Sequence, residues 1–355
     1  MIKVVQIGCG KMSKYTMRYA YEKGASIVGA FDADPFIIGS DIGTVLESEE
    51  KGIAIEDVKK LESTLKLIKP DIAIVTTMSL LNDIADTLRL CARCGINVIT
   101  ICEEAFFPSN SNPNLYKEID VLAKSNNCTI TGVGYQDVAW GNLVATLAGT
   151  THKITKIKGS SSYNVEDYGI ALAEAHGVGL CFAEFEEKIA SVDNISNLER
   201  NLLIENREFL PSYMWNTVGW LADRLELKIT DIKQSCVPIF AEDELYSCTL
   251  KMTIPKGDVI GMSAIVTAVT EENIILEAEC IGKVYSDVEF DVNEWTILGE
   301  PDTTVTINRP KTVELTCANA INRIPDVINA PAGFVPTSRM ETASYKSKPL
   351  HEYIK

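Results

Sequence analysis

Strand-like and helix-like segments alternate through the first 140 residues of the chain. Short apolar, β-branched runs occur at residues 3–7, 26–31, 72–75, 97–102 and 129–134, and segments with helical periodicity lie between them at 11–23, 57–68, 80–94 and 114–125. Strands that are separated by helices pair in parallel through right-handed crossovers. The pattern therefore predicts an α/β domain at residues 1–140, with a mostly parallel sheet covered by helices on both faces.

The pattern changes near residue 140, where a connecting helix is predicted to begin. Strand-like alternation then dominates at residues 154–163, 245–253 and 258–269, and helical segments interrupt it at 168–187 and 212–225. This combination is typical of an α+β domain on a largely antiparallel sheet, which we place at residues 141–305. The last segment, 306–355, contains a predicted helix at 313–329 and an extended tail at 331–336. We expect it to return to the first domain.

The composition argues against several classes of protein. The 355 residues carry a formal charge of −16 and contain no run of Lys and Arg, so nucleic acid is not an expected partner. There is no leader pattern, and no apolar run reaches the ~18 residues that span a bilayer, so we expect a soluble, cytoplasmic protein. Ten cysteines, mostly inside apolar runs, fit reduced core thiols. Cys91 and Cys94 form a CxxC without a second pair, and we expect no metal site.

A glycine-rich turn follows the first strand. Gly8 and Gly10 precede a helix that begins with Lys11 and Met12. In this arrangement backbone N–H groups at a helix N-terminus bind a pyrophosphate. Ser13 replaces the third glycine of the fingerprint and is small enough for close packing of helix on strand.

An acidic residue ends the second strand, about twenty residues beyond the glycines, where a Rossmann domain places the carboxylate that binds the adenosine ribose. This residue is Asp32. We therefore predict a nicotinamide dinucleotide cofactor, NAD or NADP, with NAD favoured because the carboxylate would repel a 2′-phosphate. The alternative for Asp32 is a purely structural turn, since Asp34 and Pro35 follow closely.

Polar residues end two further strands. Thr76 and Thr77 could contact the ribose of the nicotinamide or cap the helix that follows, and both roles stay open. Glu103 and Glu104 follow the apolar run at 97–102. Because ligands of open parallel sheets bind outside the carboxyl ends of the strands, one of these carboxylates could lie beside a reacting centre. The alternative is a solvated strand end.

Five motifs, in this order along the chain, resemble those of a known enzyme family: Gly8-Cys9-Gly10-Lys11-Met12, Cys102-Glu103-Glu104, Gly132-Val133-Gly134-Tyr135-Gln136-Asp137, Asn322-Arg323-Ile324-Pro325 and Ala330-Pro331-Ala332-Gly333-Phe334. The family is that of the native NAD(P)-dependent amine dehydrogenases and the related 2,4-diaminopentanoate dehydrogenases. The resemblance implies an architecture like that of dihydrodipicolinate reductase, in which a Rossmann domain and a sheet domain for substrate binding and dimerisation close over NAD(P) in a homodimer. It also implies oxidative deamination of a primary amine to a ketone or aldehyde plus ammonia, and the reverse reductive amination.

The same resemblance assigns roles to individual residues. Glu103 matches the family's essential glutamate, with Glu104 as the fallback. The residues that match the substrate pocket are Tyr135, Trp140, Asn142 and Val144 on the connecting helix and Tyr163, Tyr168 and His176 beyond it. The alternative for Tyr163 and Tyr168 is ordinary core packing, and for His176 a satisfied position at a helix end.

The implied chemistry suits a carboxylate. Transfer of hydride from the amine-bearing carbon leaves an iminium ion, to which water adds before ammonia leaves. A carboxylate can stabilise the iminium and accept a proton from the water. No Arg stands out near the pocket residues, which favours simple alkyl amines over a 2,4-diamino acid such as the substrate of a 2,4-diaminopentanoate dehydrogenase proper.

Other functions remain open for this sequence. An imine reductase of the dihydrodipicolinate type would share the two-domain shape, as would a sugar dehydrogenase of the glucose–fructose oxidoreductase type. The latter usually carries Glu-Lys-Pro after this strand, whereas Glu103 is followed by Glu104 and Ala105. A non-catalytic NAD-binding protein is the third possibility, because a fold alone does not determine a function.

Overall fold

The computed structural model describes residues 1–206, 208 and 211–355 and divides the chain into two compact units. The first unit combines Met1–Asn142 with Lys311–Lys355, and the second unit is Leu143–Pro310. Each unit is built around one large sheet. In the described part of the chain, no helix is long and apolar enough to span a bilayer.

A seven-stranded parallel sheet forms the centre of the first unit. Its strands are β1 (Lys3–Ile7), β2 (Ser26–Asp32), β3 (Ile55–Asp57), β4 (Ile72–Val75), β5 (Asn97–Thr100), β6 (Thr129–Gly132) and β15 (Gly333–Phe334). They lie in the order β15-β6-β5-β4-β1-β2-β3, and all neighbouring strands run parallel. The predicted parallel sheet of an α/β Rossmann domain is confirmed.

Helices cover both faces of this sheet. They are α1 (Lys11–Glu22), α2 (Ile42–Val45), α3 (Leu61–Ile68), α4 (Leu81–Arg93), α5 (Pro113–Ser125), α12 (Thr312–Asn322) and α13 (Ile324–Asn329). Successive strand residues point to opposite faces, so Val5 packs in a buried cluster with α3, α4 and α5, and Val4 in another with α1, α12 and α13. Burial on both faces explains why these strands are apolar without alternation.

The C-terminal segment supplies both a strand and two helices to the first unit. The tail predicted as extended contains β15, which pairs in parallel with β6. The single helix predicted at 313–329 is wrong, because α12 and α13 are separate helices that meet at Arg323. Pro325 lies in the first turn of α13, where its missing N–H costs no intrahelical hydrogen bond.

A buried ionic cluster, here called the C-terminal clamp, consists of Asp137, Asn319, Arg323, Asp326 and Lys346. The fully buried Asp137 carboxylate accepts hydrogen bonds from Arg323 (Nε to Oδ2, 2.9 Å) and from Asn319 (Nδ2 to Oδ2, 2.9 Å). Arg323 also reaches Asp326 (3.3 Å), which pairs in turn with Lys346 (2.9 Å). Buried charges persist only when partners satisfy them, so the clamp fastens the C-terminal segment onto the turn that follows β6.

The second unit is built on a six-stranded mixed sheet. Its strands are β7 (Lys153–Asn164), β8 (Ile229–Phe240), β11 (Val259–Thr270), β12 (Ile275–Lys283), β13 (Val292–Glu300) and β14 (Thr303–Asn308), and a separate hairpin consists of β9 (Leu245–Ser247) and β10 (Met252–Ile254). The sheet order is β14-β13-β7-β12-β11-β8, and only β7 and β12 pair in parallel. The predicted α+β architecture on a largely antiparallel sheet is confirmed.

Short helices accompany this sheet. They are α6 (Leu143–Ala148), α7 (Ile170–Ala175), α8 (Phe182–Phe185), α9 (Ser191–Asp193), α10 (Asn197–Asn206) and α11 (Tyr213–Arg224). Two predicted elements are wrong as single segments. The strand predicted at 245–253 is the β9–β10 hairpin, whose turn contains Lys251 at φ +54°. The helix predicted at 168–187 is divided after α7, because Gly177 (φ +71°) and Gly179 (φ +83°) cannot continue a right-handed helix.

Candidate active site

The carboxyl ends of the central strands of the first unit meet at one edge of the sheet, here called the carboxyl edge. It comprises residues 8–10, Asp32, residues 76–79, Glu103 and residues 134–136, which lie at or just beyond the ends of β1, β2, β4, β5 and β6. The strand order reverses between β1 and β4. In open α/β sheets the crevice at this reversal is where ligands bind, so the predicted cofactor-binding residues lie at the expected place.

The backbone conformation and the close packing at position 8 both require glycine. It has φ +89°, and a Cβ atom there would lie 2.7 Å from Cγ2 of Thr77 and 3.0 Å from the carbonyl carbon of Thr76. The Gly8 carbonyl accepts hydrogen bonds from Oγ1 of Thr76 and Nε2 of Gln6, both at 2.9 Å. These contacts join the ends of β1 and β4 tightly.

At position 10, neither the backbone conformation nor the packing within the protein requires glycine. Its φ of −82° suits any residue, and an added Cβ would meet no protein atom within 4 Å. It precedes Lys11 and Met12 at the N-terminus of α1, which has no side-chain cap and no acidic residue in its first turn. Ser13, at the third glycine position, is buried and donates from Oγ to the Gly10 carbonyl (2.7 Å). The open space beside Gly10 and the uncapped helix end therefore fit a pyrophosphate.

Asp32 stabilises the glycine turn from the end of β2. One carboxylate oxygen accepts from the backbone N–H of Cys9 (2.6 Å), and the other from the N–H of Asp34 (2.8 Å). The second bond is the turn expected from the structural alternative. Each carboxylate oxygen has a further lone pair, so both bonds are compatible with a ribose hydroxyl as an additional donor.

Glu103 and Glu104 have different environments in the 3₁₀ turn Glu103–Phe106. Glu104 is only 3% exposed, and its oxygens accept from the Leu81 N–H (2.6 Å) and from Oγ of Ser111 (3.0 Å). Glu104 therefore caps α4, and the alternative that Thr76 or Thr77 caps this helix is wrong.

Glu103 is half-buried and faces fewer structural donors. Burial raises the pKa of its carboxyl group, and a hydrogen bond from the Ser79 side chain partly offsets that rise. The pKa of Glu104 is also raised by burial, against the hydrogen bond from the Leu81 N–H. A partly buried carboxylate with a raised pKa is a stronger proton acceptor than an ordinary carboxylate, which suits it to proton transfer.

A glycine positions the turn that carries Glu103. A Cβ on Gly132, the last residue of β6, would lie 2.2 Å from the carbonyl oxygen of Ala105 and 2.7 Å from the backbone nitrogen of Phe106. Backbone therefore packs directly on backbone, because no side chain intervenes. This contact holds the Glu103 turn over the end of β6.

The pocket candidates of the connecting segment begin just beyond β6. Tyr135 and Trp140 make an edge-to-face contact with ring centroids 6.2 Å apart. Asn142 closes the π-helix Asp137–Asn142 by donating from Nδ2 to the Asp137 carbonyl (2.7 Å) and to its Oδ1 (2.9 Å). Val144 is fully buried in α6 of the second unit.

Tyr163, Tyr168 and His176 form a cluster in the second unit. Nδ1 of His176 is 2.8 Å from the Leu172 carbonyl and must carry a proton to donate to it, so Nε2 accepts from the Tyr163 hydroxyl (2.7 Å). Burial lowers the pKa of His176, which favours the neutral form of the ring. Tyr168 packs edge-on against Tyr163 and is 60% exposed. Gly282 on β12 makes room for the pair, since a Cβ there would lie 2.5 Å from the His176 ring.

A cavity of about 380 Å³ opens beside this pair within the second unit. Its lining is mainly apolar and aromatic, with Lys188 and Asp193 as the charged members among the described residues. The lining residues are Tyr163, Leu172, Ala175, His176, Lys188, Ile189, Asp193, Pro211, Ser212, Tyr213, Gln234, Cys236, Met262, Ala264 and Cys280. Val144 and Tyr168 are not among them.

Comparisons with known proteins match this chain to 2,4-diaminopentanoate dehydrogenases and to an amine dehydrogenase. The family model of the 2,4-diaminopentanoate dehydrogenase C-terminal domain matches residues 212–345. A 2,4-diaminopentanoate dehydrogenase from Acetoanaerobium sticklandii is 23% identical over 339 residues, which cover 94% of this chain and 91% of the relative. The structure of an amine dehydrogenase from Mycobacterium smegmatis matches with a TM-score of 0.81 and 36% identity over 98% of both chains. A probable dehydrogenase from Thermotoga maritima shares the fold alone, with a TM-score of 0.58 and 10% identity over 95% of this chain and 92% of the other.

Proposed function

This chain belongs to the amine dehydrogenase family, and we propose that it deaminates a small primary amine with NAD and catalyses the reverse reductive amination. Its relatives make it an oxidoreductase that acts on amines with a nicotinamide cofactor. The observation that carries the proposal is the half-buried Glu103, with its raised pKa, at the carboxyl edge.

Glu103 is the proposed catalytic carboxylate. A nicotinamide bound at the carboxyl edge would supply the hydride acceptor for the amine-bearing carbon, and loss of that hydride would leave the substrate as an iminium ion. The Glu103 carboxylate stabilises that positive charge and accepts a proton from the water that adds to the carbon. Glu103 then returns this proton to the nitrogen, the C–N bond breaks, and the hydroxyl proton passes to the departing ammonia, so that ammonium and the carbonyl product are formed. Glu104 takes no part in these steps, because its oxygens are occupied at the end of α4.

Asp32 supports NAD rather than NADP as the cofactor, because a 2′-phosphate would meet its carboxylate. The Asp32→Asn variant removes the charge and keeps a carbonyl oxygen as an acceptor for the glycine turn. We expect the ratio of NADP-linked to NAD-linked kcat/KM to rise by about tenfold, as like-charge repulsion is relieved. An unchanged ratio would show that Asp32 does not discriminate between the two cofactors.

The cavity supports an amine without a carboxylate. Lys188 is engaged with Glu184 (3.3 Å), and Arg200, buried nearby, pairs with Asp193 (3.2 Å) and with the Gln234 carbonyl (3.2 Å). Arg200 is therefore committed to other groups, and a substrate carboxylate would have to compete with Glu184 for Lys188. The homodimer implied by the family and the cytoplasmic location stay predictions.

Ammonia-dependent oxidation of NADH and NADPH against a panel of alkyl ketones, aldehydes and 2-amino-4-oxopentanoate tests the proposal. We expect turnover with the alkyl carbonyl compounds. Faster turnover with 2-amino-4-oxopentanoate would instead identify a 2,4-diaminopentanoate dehydrogenase. Cofactor binding without ammonia-dependent oxidation of either nucleotide would support a non-catalytic NAD-binding protein.

A further inference from the structure

Gln136 lies at the carboxyl edge with its side chain held in one place. It follows β6 by four residues and is 8% exposed. The carboxamide folds back over Gly134, where a Cβ would lie 2.6 Å from its Oε1 and 3.0 Å from its Nε2. Glycine at 134 therefore makes the space that the carboxamide occupies.

The amide nitrogen of Gln136 is buried, and in the described part of the chain it has no hydrogen-bond partner. A buried donor without an acceptor is costly, and buried polar groups in native proteins are almost always paired. The carboxylate of the next residue, Asp137, is by contrast satisfied, since it accepts from Asn319 and Arg323. The missing acceptor of Gln136 is thus an acceptor that a ligand can supply.

The sheet topology indicates which ligand this is. The strand order reverses between β1 and β4, which leaves Asp32 on the half with β2 and Gln136 on the half with β4, β5 and β6. A dinucleotide lies across this reversal with one mononucleotide on each half. Because Asp32 stands at the position for the adenosine ribose, the half with Gln136 receives the nicotinamide nucleotide.

We propose that Gln136 binds the carboxamide of the nicotinamide ring, with Nε2 donating to the carbonyl oxygen of that group. This assignment rests on the proposed function, since it requires a nicotinamide cofactor. Two carboxamides are complementary, because each offers an N–H donor and a carbonyl acceptor. The contact involves the nicotinamide ring alone, so it does not depend on the adenosine half of the cofactor or on the amine substrate.

Binding measurements without any amine or carbonyl compound test the assignment. The Gln136→Leu variant keeps the side-chain bulk over Gly134 and removes the donor, and the Gln136→Glu variant keeps the shape with acceptors alone. We expect the Kd of NADH, followed by its fluorescence, to rise by about tenfold in both variants. The Kd of ADP-ribose, which lacks the nicotinamide, should stay unchanged when measured by calorimetry.

A cofactor analogue identifies the bonded atom. Reduced 3-acetylpyridine adenine dinucleotide keeps the carbonyl oxygen and has a methyl group in place of the amide nitrogen. It should therefore lose as much affinity as NADH in the Gln136→Leu variant. No loss with this analogue would overturn the assigned donation to the carbonyl oxygen.

Two further results would overturn the assignment. Unchanged NADH affinity in a folded variant would contradict it while leaving the proposed function intact, and so would an equal loss of NADH and ADP-ribose affinity, which indicates a structural role. Failure of the wild-type protein to bind NADH would contradict both proposals. Failure of the carbonyl panel alone would contradict only the proposed reaction.

Discussion

The carboxyl edge and the C-terminal clamp differ in how completely their polar side chains are hydrogen-bonded within the protein, although the two regions meet at residues 136 and 137. In the clamp, Asp137 is satisfied by Arg323 and Asn319, and all three are buried. At the edge, Gln136 keeps a buried N–H group without a partner among the described residues, and Glu103 keeps a half-buried carboxyl group with a raised pKa. The clamp thus serves structure, and the edge retains hydrogen-bonding capacity for a ligand.

In two pairs of adjacent residues, one side chain is bound within the protein and the other lies at the carboxyl edge. Glu104 is bound to the end of α4 while Glu103 faces the edge, and Asp137 is bound to the clamp while Gln136 folds over Gly134. In each pair the second residue fixes the backbone, so the first can be presented in one orientation. Functional groups need such support, because small displacements of a reacting group reduce rates strongly.

The largest expected effect is on turnover at the edge. In the Glu103→Gln variant, kcat for reductive amination should fall by a factor of about 10²–10⁴, because the carboxylate that stabilises the iminium and exchanges protons is gone. NADH affinity should be retained. Steady-state kinetics and NADH titration would measure both quantities.

Glu104→Gln is the matched control for this prediction, and its kcat should fall far less than that of Glu103→Gln, because the amide keeps one of the two hydrogen bonds that hold the turn. If the Glu104 variant lost turnover and the Glu103 variant did not, the catalytic assignment would move by one residue. Full activity in both variants would contradict the mechanism.

Breaking the clamp should produce the largest loss of stability. The Arg323→Met variant leaves the Asp137 carboxylate buried without its cation, and we expect the free energy of unfolding to fall by about 3–5 kcal/mol. Urea titration would measure it. Combining Arg323→Met with Asp137→Asn should recover part of the loss, and a loss below about 1 kcal/mol in the single variant would refute the structural role.

A smaller loss is expected from Glu104→Gln. The amide retains only one acceptor oxygen, so either the Leu81 N–H or the Ser111 hydroxyl loses its acceptor, at a cost of about 1–2 kcal/mol. Glu103→Gln should show no such loss in the same urea titration. Equal stability of the Glu104 variant and the wild type would mean that Glu104 does not support α4.

The smallest effect concerns pH. Because burial raises the pKa of Glu103 above its unfolded value of about 4.3, the folded state holds the extra proton between the two values. This residue's contribution to stability therefore falls as pH rises through that window. As pH rises through this window, the free energy of unfolding of Glu103→Gln should increase relative to that of the wild type, and above the window the difference should be constant. A difference that is independent of pH would contradict the raised pKa.

Much of the fold could be predicted because its signals are local. Short apolar, β-branched runs and helical patterns located β1, β2, β4, β5 and β6 with their helices, and the Gly8 turn required a conformation that glycine provides. The second unit was predicted less completely. Strands β8, β12, β13 and β14 were missed, and Gly177 and Gly179 break a segment whose composition resembles a helix.

The features of the candidate site likewise fall into those that the sequence predicts and those that it does not. Residue type and spacing alone were enough to predict a carboxylate at the end of β2, carboxylates after β5 and glycines before α1. Three features became visible only in the folded chain: Glu104 caps α4, Gln136 keeps a buried donor, and Tyr163 donates to His176. These facts depend on partners brought together from distant positions in the chain, and a hydrogen bond is satisfied or left open only when the fold has placed its partner.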